Sequence, residues 1–299
     1  MKKTSTLSII LIIVFALSSC TSTKSTSKNT TVVNSTMQIQ LLRNASVIVT
    51  FDNIKMLIDP TLSDAQTEPP MPFSNKNNNP LIPLPIDQNK ILENVDAVLL
   101  THYHTDHFDL GAENLLPKSI LIFCQPGDER KLEEKGFSNI QVIDSVFKWK
   151  GISISRFLVR HHKGATGAEP FGKSSSFFLK TKSETLFFTG DAILDDRLTN
   201  SLRKTNPKLI VANTGECQFT EENPVLDPHI TMTLTQTELK SIIKLLPNSK
   251  IIAVHMDAIN HCSLSKSDLK VYIKNEKLKK NIFIPNERDI LSYKQLISN

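Results

Sequence analysis

The sequence predicts an α+β domain in which two mixed β-sheets pack on each other and helices cover the outer faces. Short apolar runs of strand length alternate with amphipathic helical runs from residue 37 onward. Mixed strands with interspersed helices favour packed sheets with an outer helical layer. The 299-residue chain is 39% hydrophobic and 22% charged, which is ordinary for a globular protein with a substantial core.

The N-terminal residues predict export and are not part of this fold. Lys2 and Lys3 precede a nearly continuous apolar run at residues 7–17. This run is too short to cross a bilayer, since crossing takes about 20 residues, but it suits a signal peptide. Leu17-Ser18-Ser19-Cys20 resembles the lipobox of bacterial lipoproteins. The resemblance implies cleavage after residue 19 and lipidation of Cys20; the alternative is an ordinary secretory signal with an incidental cysteine.

The segment between the anchor and the domain has a composition that cannot fold by itself. Residues 20–36 are almost entirely Ser, Thr, Lys and Asn, so we expect a disordered tether there and a folded domain at residues 37–299. Several acyl chains on Cys20 would hold the protein stably on a membrane. We therefore expect an exported, lipid-anchored protein of the cell envelope that faces the periplasm or the exterior.

The charge pattern argues against nucleic acid as a partner. The formal net charge of +5 is modest for this length, and lysines interleave with acids, as at residues 130–135. Such a pattern is typical of a solvated helical face, so no nucleic-acid partner is expected.

The first half of the domain starts with a three-stranded meander and then a long loop. Residues 60–89 are rich in Pro and Asn and too long for a simple connection, so we expect a cover or a binding wall, with the middle (74–79) equally compatible with a tolerated insertion. The elements predicted in this half are strands at 38–42, 46–50, 55–58, 95–100, 119–124 and 139–143, and helices at 110–116 and 127–135.

The second half repeats this mixture with longer helices. The elements predicted here are strands at 152–159, 175–179, 185–188, 209–211, 251–255 and 282–285, and helices at 195–204, 235–246 and 266–278.

The most informative motif follows the apolar strand at 95–100. His102, His104, Asp106 and His107 offer four metal-competent side chains within six residues. Alternate residues of an extended segment share a face, so His102 and His104 can reach one ion together. If the chain then turns, Asp106 and His107 reach a second ion, which predicts a two-metal hydrolytic centre.

Further candidate ligands follow other strand-like runs. The His161-His162 doublet, Asp191 and His255 each come directly after such a run, and His261 lies beyond the next turn. Ligands at the ends of neighbouring strands can converge on one sheet edge. Asp59 ends another strand and is expected either to orient a ligating imidazole or to serve the turn.

These motifs together resemble the metallo-β-lactamase-fold metallohydrolases, in the broad branch with lactonase-like and phospholipase-D-like members. The resemblance covers residue 37 to the C-terminus and implies an αββα sandwich with the metals at the edge between the sheets. It also implies a set of ligands for each ion: His102, His104 and His161 for the first, Asp106, His107 and His255 for the second, and Asp191 bridging both. His161 is preferred over His162 on the resemblance alone, and His162 and His261 are left as candidates for substrate or supporting contacts.

Imidazole and carboxylate ligands without cysteine suit zinc, and also Mn or Fe where a carboxylate bridges. Zinc is the first choice because export makes reduced iron less available. Two such ions lower the pKa of a shared water from about 15.7 toward 7. The predicted reaction is attack of this metal-bound hydroxide on an ester, lactone, amide or phosphodiester, with Asp106 as the catalytic carboxylate that orients the nucleophile.

The sequence leaves the substrate open. A membrane anchor and a Pro-rich loop favour a small-molecule or lipid-derived substrate. One alternative is a β-lactam-hydrolysing enzyme, which the short spacing from the first motif to His161 disfavours. The other is a non-catalytic lipoprotein that binds metal or a ligand, which the complete ligand set disfavours.

The cysteines of the domain do not enter the predicted centre. Cys124 ends a buried strand as a free thiol, and a bridge between Cys217 and Cys262 is compatible with the sequence.

Overall fold

The computed structural model describes residues 37–162 and 171–298. The predicted signal peptide, the predicted lipidation site Cys20 and the predicted tether lie outside these residues. Within them, no helix combines the length and the apolar character needed to cross a membrane.

The first sheet contains seven strands within the described residues. The meander β1–β2–β3 is antiparallel, β4, β5 and β6 extend it in parallel from β3, and β14 pairs antiparallel with β1 at the other side. The order is therefore β14-β1-β2-β3-β4-β5-β6. The turn at Asp52 and Asn53 joins β2 to β3, with Phe51 paired to Ile54. The strands are β1 Gln38–Arg43, β2 Ser46–Phe51, β3 Ile54–Ile58, β4 Ala97–Leu99, β5 Leu121–Cys124, β6 Ile140–Val142 and β14 Ile290–Ser292.

The second sheet also contains seven strands in the described ranges, in the order β13-β12-β11-β10-β9-β8-β7. Strands β7 to β10 form antiparallel pairs, whereas β10, β11, β12 and β13 run parallel. The strands are β7 Val146–Trp149, β8 Ile152–Val159, β9 Ser174–Lys180, β10 Thr185–Phe188, β11 Leu209–Asn213, β12 Lys250–Val254 and β13 Ile282–Phe283.

Helices begin where polar side chains cap their free N–H groups. Asp109 accepts a hydrogen bond from Ala112 N, and Thr235 forms a reciprocal capping box with Glu238. The helices are α1 Gln88–Leu92, α2 Leu110–Leu115, α3 Glu129–Glu134, α4 Asp196–Thr205, α5 Gln236–Leu245, α6 Lys266–Asn275 and α7 Tyr293–Ser298.

Three of the four buried apolar clusters in the described residues hold these layers together. The central cluster joins inward side chains of both sheets, for example Val49 and Leu99 of the first and Phe177 and Val211 of the second. The other clusters pack helices on the outer faces, with Leu132 of α3 on the first sheet. Leu198, Leu239 and Leu269 of α4, α5 and α6 pack on the second sheet. The predicted α+β architecture of two mixed sheets with helices outside is therefore confirmed.

Four elements were not predicted from the sequence: β7, β14, α1 and α7. β7 and β14 are edge strands, with Val146 60% and Ile290 59% exposed, so they lack the apolar signal of a buried strand. Helix α1 lies at the end of the Pro-rich segment, and its five residues bury only Ile91.

The functional residues come from one edge of the sandwich. The first sheet contributes the residues after β3 and β4, and the second contributes those after β8, β10 and β12. Because parallel strands end at the same edge, polar residues at these ends are brought together without a dedicated loop scaffold.

Candidate metal centre

The loop after β4 folds as a tight turn that aims its side chains inward. His107 N and Phe108 N both donate to the carbonyl oxygen of His104, at 3.0 and 2.8 Å, which makes a helical turn. Asp109 then caps α2. The turn buries His102, Asp106 and His107, which are 0%, 4% and 0% exposed.

A first group of three imidazoles is formed by His102, His104 and His161, whose candidate ligand atoms all lie within 4.8 Å of one another. Nε2 of His102 and Nε2 of His161 lie 4.0 and 3.6 Å from Asp191 Oδ2. His104 Nε2 donates to the carbonyl oxygen of Phe171 at 2.7 Å, so its Nδ1 is the nitrogen with a free lone pair.

A second group contains Asp106, His107, Asp191 and His255, again within 4.8 Å. His255 Nε2 lies 3.3 Å from His107 Nε2 and 3.4 Å from Asp106 Oδ2. His107 Nε2 lies 3.2 Å from Asp191 Oδ2. Asp191 thus contacts both groups, because its Oδ1 also lies 3.6 Å from His255 Nε2.

The donor set fits divalent cations. Nε2 of His102 and Nε2 of His161 are buried and have no hydrogen-bond partner among the described residues. Such atoms are costly to bury unless something satisfies them. Imidazole nitrogens that surround a shared carboxylate are the ligands zinc and related metals prefer, and the cluster is able to bind metal.

Burial and mutual attraction set the charges of this cluster. Burial alone would raise the pKa of Asp106 and Asp191, but neighbouring imidazoles, His107 foremost, hold both well below the usual range. Burial lowers the pKa of His102 well below normal and that of His104 to about 4. His107 is the exception: burial lowers its pKa, but Asp191, Asp106 and Asp59 together raise it well above normal. A bound cation would replace the proton held there.

The second nitrogen of each imidazole in the two groups is held by a specific partner. His107 Nδ1 donates to Asp59 Oδ2 at 2.9 Å. Thr101 Oγ1 donates to the same carboxylate oxygen at 2.7 Å and accepts from His102 Nδ1 at 3.1 Å. His161 Nδ1 donates to the Met232 carbonyl oxygen at 3.1 Å. These bonds fix the ring orientation and leave the opposite nitrogen for the centre.

His255 differs from the other four imidazoles. Its Nδ1 lies 3.5 Å from Cys217 Sγ and 3.3 Å from Cys262 Sγ, and these two cysteines form a disulfide. Cys124, in contrast, is a buried free thiol, and burial raises its pKa to about 12.

The structure separates the His161-His162 doublet. His161 enters the first group, whereas His162 packs edge-on against the Phe171 ring at 5.6 Å and belongs to neither group. His261 lies on the wall of the centre with Nε2 4.0 Å from Asp106 Oδ2, and burial lowers its pKa to about 4. The assignment of individual ligands stays a prediction.

Sequence reasoning missed several supporting groups. Asn213 Nδ2 donates to Asp191 Oδ1 at 2.8 Å, and its position at the end of β11 is a signal that could have found it. The carbonyl groups of Phe171 and Met232 carry no such signal, because every residue has a carbonyl.

Gly190 is required directly before Asp191. Its φ is +57°, and an added Cβ would lie 2.5 Å from the carbonyl oxygen of Ser175 and 3.2 Å from Thr101 Cβ. A side chain at this position would push the strand end away from β9 and displace the carboxylate that both groups share.

A cavity of about 410 Å³ opens onto the centre. Its walls are mainly apolar and come from the Pro-rich loop and from the second sheet's connections: Met71, Pro72, Phe73, Phe171, Phe219, Val225 and Met232. The long loop at 60–89 therefore contributes part of the cavity wall, at its residues 71–73. Among the described residues that line the cavity, none is a lysine or an arginine.

Comparison with known proteins decides the family. Residues 55–256 match the family described as "Beta-lactamase superfamily domain". The chain belongs to the metallo-β-lactamase superfamily. The UPF0173 protein YddR of Bacillus subtilis is 32% identical over 261 residues, which cover 86% of this chain and all of that protein. With this membership the predicted metallo-β-lactamase fold is confirmed.

Two solved structures of this superfamily fold are similar over nearly their whole length. An isothiocyanate hydrolase from Delia radicum gut bacteria has a TM-score of 0.80 and 27% identity, covering 86% of this chain and 99% of its own. A possible metal-dependent hydrolase from Veillonella parvula has a TM-score of 0.79 and 26% identity over the same shares. The chain is thus a metal-dependent hydrolase of this superfamily.

Proposed function

We propose that this chain hydrolyses a small, uncharged ester or lactone at a two-ion centre, with zinc as the first choice of metal. Two bound divalent ions would lower the pKa of a shared water toward 7 and supply a hydroxide nucleophile. The observation that carries the proposal is the pair of adjacent ligand groups, joined by Asp191, at the floor of the apolar cavity.

The chain's own residues have distinct roles in this proposal. His102, His104 and His161 would hold one ion, and Asp106, His107 and His255 the other, with Asp191 between them. Asp106 stays ionised because its pKa is held low, so its carboxylate can accept a hydrogen bond from the attacking water and orient it. His261 is neutral near pH 7 and can donate a hydrogen bond to a substrate oxygen.

The cavity favours uncharged substrates over phosphodiesters. An anionic group is usually bound by Arg or Lys, and the described lining residues offer neither. Apolar and aromatic walls instead stabilise a hydrophobic body, as is usual in small-molecule sites. An ester or lactone with an apolar tail fits this chemistry, whereas the carboxylate of a β-lactam antibiotic and the phosphate of a phosphodiester would find no cationic side chain among these lining residues.

Hydrolysis of a chemical panel tests the proposal. The purified, zinc-loaded chain is assayed with aryl esters, lactones of increasing tail length, a phosphodiester, a phospholipid and a β-lactam. We expect the ester and lactone rates to lead, and Asp106→Asn to lower kcat by about 10²–10⁴-fold. His229→Asn, an exposed histidine at a positive φ, is the matched control and should keep full activity.

The panel also separates the alternatives. A phosphodiester or β-lactam preference would contradict the substrate assignment while leaving a two-ion hydrolase. If the chain binds zinc but shows no hydrolysis that depends on Asp106, the result would favour a non-catalytic metal-binding protein.

A second candidate substrate class is the isothiocyanates. The similar solved structure is named an isothiocyanate hydrolase, and an isothiocyanate is small, apolar and uncharged like the substrates the cavity favours. Attack of water on its central carbon ends in an amine and carbonyl sulfide. Release of amine from phenethyl isothiocyanate, at a kcat/KM above that of every lactone, would favour this class; no amine release would exclude it.

We further propose that Cys20 is lipidated and anchors the enzyme to a membrane of the cell envelope, where it faces the periplasm or the exterior. The lipobox-like sequence at residues 17–20 supports this. In cells fed an alkyne-labelled fatty acid, the wild-type chain should be labelled and sediment with membranes, whereas Cys20→Ser should be unlabelled and soluble. Membrane sedimentation of an unlabelled wild type would contradict lipidation.

A further inference from the structure

The sulfur atoms beside His255 are the feature that the hydrolytic mechanism leaves unused. His102, His104, His107 and His161 each bond an oxygen through the nitrogen that points away from the centre. His255 Nδ1 instead faces two sulfurs, at 3.5 and 3.3 Å. An imidazole that binds metal through Nε2 carries its proton on Nδ1, so this N–H is directed at the cysteine pair.

The backbone is shaped to keep the sulfurs in this place. Cys217 and Cys262 pair across two connections that are 45 residues apart in sequence. A Cβ on Gly215 would lie 2.7 and 2.8 Å from the two sulfurs and 2.3 Å from the His255 carbonyl oxygen. Only glycine at position 215 therefore allows Cys217, Cys262 and His255 to approach one another this closely.

The two sulfurs differ in their access to solvent. Cys217 is fully buried, whereas Cys262 is partly exposed. A small thiol or disulfide can therefore reach Cys262 first, and the buried partner can then complete the exchange.

We propose that Cys217 and Cys262 are redox-sensitive positioning residues for His255, which make retention of the second ion depend on their oxidation state. The inference rests on the proposed two-ion centre. In the disulfide, both sulfurs are bonded to each other and are weak acceptors for the His255 N–H. In the dithiol, each sulfur is free to turn toward the ring and accept that hydrogen bond, which increases the basicity of the ligating nitrogen.

The exchange is balanced by an external thiol–disulfide couple. Oxidation removes one hydrogen from each cysteine and forms the Cys217–Cys262 bond. The two electrons and two protons pass to a low-molecular-weight disulfide, which leaves as two thiols. Reduction runs the same exchange in reverse, so no other reactant is needed.

Zinc affinity measured in both redox states tests the proposal. The full-length chain in detergent is converted to the disulfide form with oxidised glutathione or to the dithiol form with reduced glutathione. The glutathione is then removed under anaerobic conditions. The chain is titrated with zinc against a chromophoric chelator, and thiols are counted by alkylation and mass spectrometry. We expect the more weakly held zinc to bind about 10–100-fold more tightly in the dithiol form, with the other zinc unchanged.

Variants separate positioning from a structural role. Cys217→Ser with Cys262→Ser should give one zinc affinity after both treatments, whereas Cys124→Ala, which removes the buried free thiol, should keep the wild-type response. The wild-type comparison stands by itself if the double variant does not fold.

Three results on zinc affinity, thiol reduction and metal ligation would overturn the inference, and two further results compare it with the proposed function. One is equal zinc affinity in the two forms despite a verified change in thiol count, and another is a disulfide that glutathione does not reduce in the folded chain. The third is an intense sulfur-to-metal charge-transfer band after Co²⁺ loading, which would make the cysteines direct ligands together with His261. A chain that binds no second ion would overturn both proposals. Hydrolysis that Asp106→Asn abolishes, but that is equal in the two redox forms at limiting zinc, would overturn this one alone.

Discussion

Replacement of Asp59 by Asn should weaken metal binding at the centre more than it weakens the fold. Asp59 Oδ1 accepts from Thr101 N at 2.7 Å, and Oδ2 accepts from Thr101 Oγ1 and from His107 Nδ1. The amide side chain of the variant would keep one acceptor oxygen for the backbone N–H. Its NH₂ group would face His107 Nδ1, and two N–H groups cannot bond to each other. His107 must then give up the proton on Nδ1 and keep one on Nε2, the nitrogen that faces the second group.

The magnitude follows from the loss of a supporting partner. Removal of such a partner lowers metal affinity by about 10–100-fold, or about 1.4–2.7 kcal/mol. We expect the second zinc of Asp59→Asn to weaken by at least the upper figure, because the tautomer is inverted as well as unsupported. Asn tolerates the φ of +44° at this residue. The ion-free protein nevertheless loses the buried ion pair between Asp59 and protonated His107, so its free energy of unfolding should fall by about 1–3 kcal/mol.

Asp59→Ala is the matched comparison: it should weaken the fold more, and zinc binding less, than Asp59→Asn does. It leaves three buried donors without an acceptor and strains the positive φ, so unfolding free energy should fall by about 3 kcal/mol or more. In Asp59→Ala no amide group faces His107 Nδ1, so this nitrogen can still carry the proton and leave Nε2 for the metal. Zinc should therefore bind more tightly than in Asp59→Asn. The measurements are zinc titration against a chelator and urea unfolding without metal. Wild-type zinc affinity in Asp59→Asn would refute the tautomer argument.

Further predictions concern the doublet, the glycine and the pH response. His161→Ala should lower zinc content by about one ion per chain and His162→Ala should not, as measured by elemental analysis; equal loss would mean that the doublet is misassigned. Gly190→Ala should lower unfolding free energy by about 3 kcal/mol, because the new Cβ would meet the Ser175 carbonyl at 2.5 Å; an unchanged urea midpoint would contradict this. His261 has a folded pKa of about 4, below its unfolded value of about 6.5. The unfolded chain therefore binds the proton first, and stability falls as pH drops from about 6.5 to 4. His261→Gln should remove up to about 3 kcal/mol of that fall in ion-free protein, and an identical pH slope in both proteins would refute it.

The sequence was sufficient for the parts of the site that are local in the chain. The spacing from His102 to His107 encodes both the strand end and the turn that follows it, and strand-end positions also indicated Asp191 and His255. The fold class followed from buried strands with clear apolar runs. The edge strand at Val146–Trp149 was not predicted, because its outward residues face solvent and it lacks a continuous apolar run.

The remaining features depend on contacts that are distant in sequence. The Met232 carbonyl that holds His161 lies 71 residues away, and no residue type marks it. Periodicity could not separate His161 from His162, because the strand ends at Val159 and alternation stops there. The placement of Cys217 and Cys262 against His255 likewise required the two connections to be folded.

The origin of the ligands has a consequence for how the two layers stay together. Each ligand group draws on both sheets, since His102 and His104 follow β4 and His161 follows β8, whereas His107 and His255 follow β4 and β12. Each ion would therefore link the two sheets at this edge of the sandwich. Its binding joins segments that are far apart in the chain, and the free energy of unfolding should rise with the logarithm of free zinc once zinc exceeds its dissociation constant. Chelation should then open this edge of the protein before the buried strands melt.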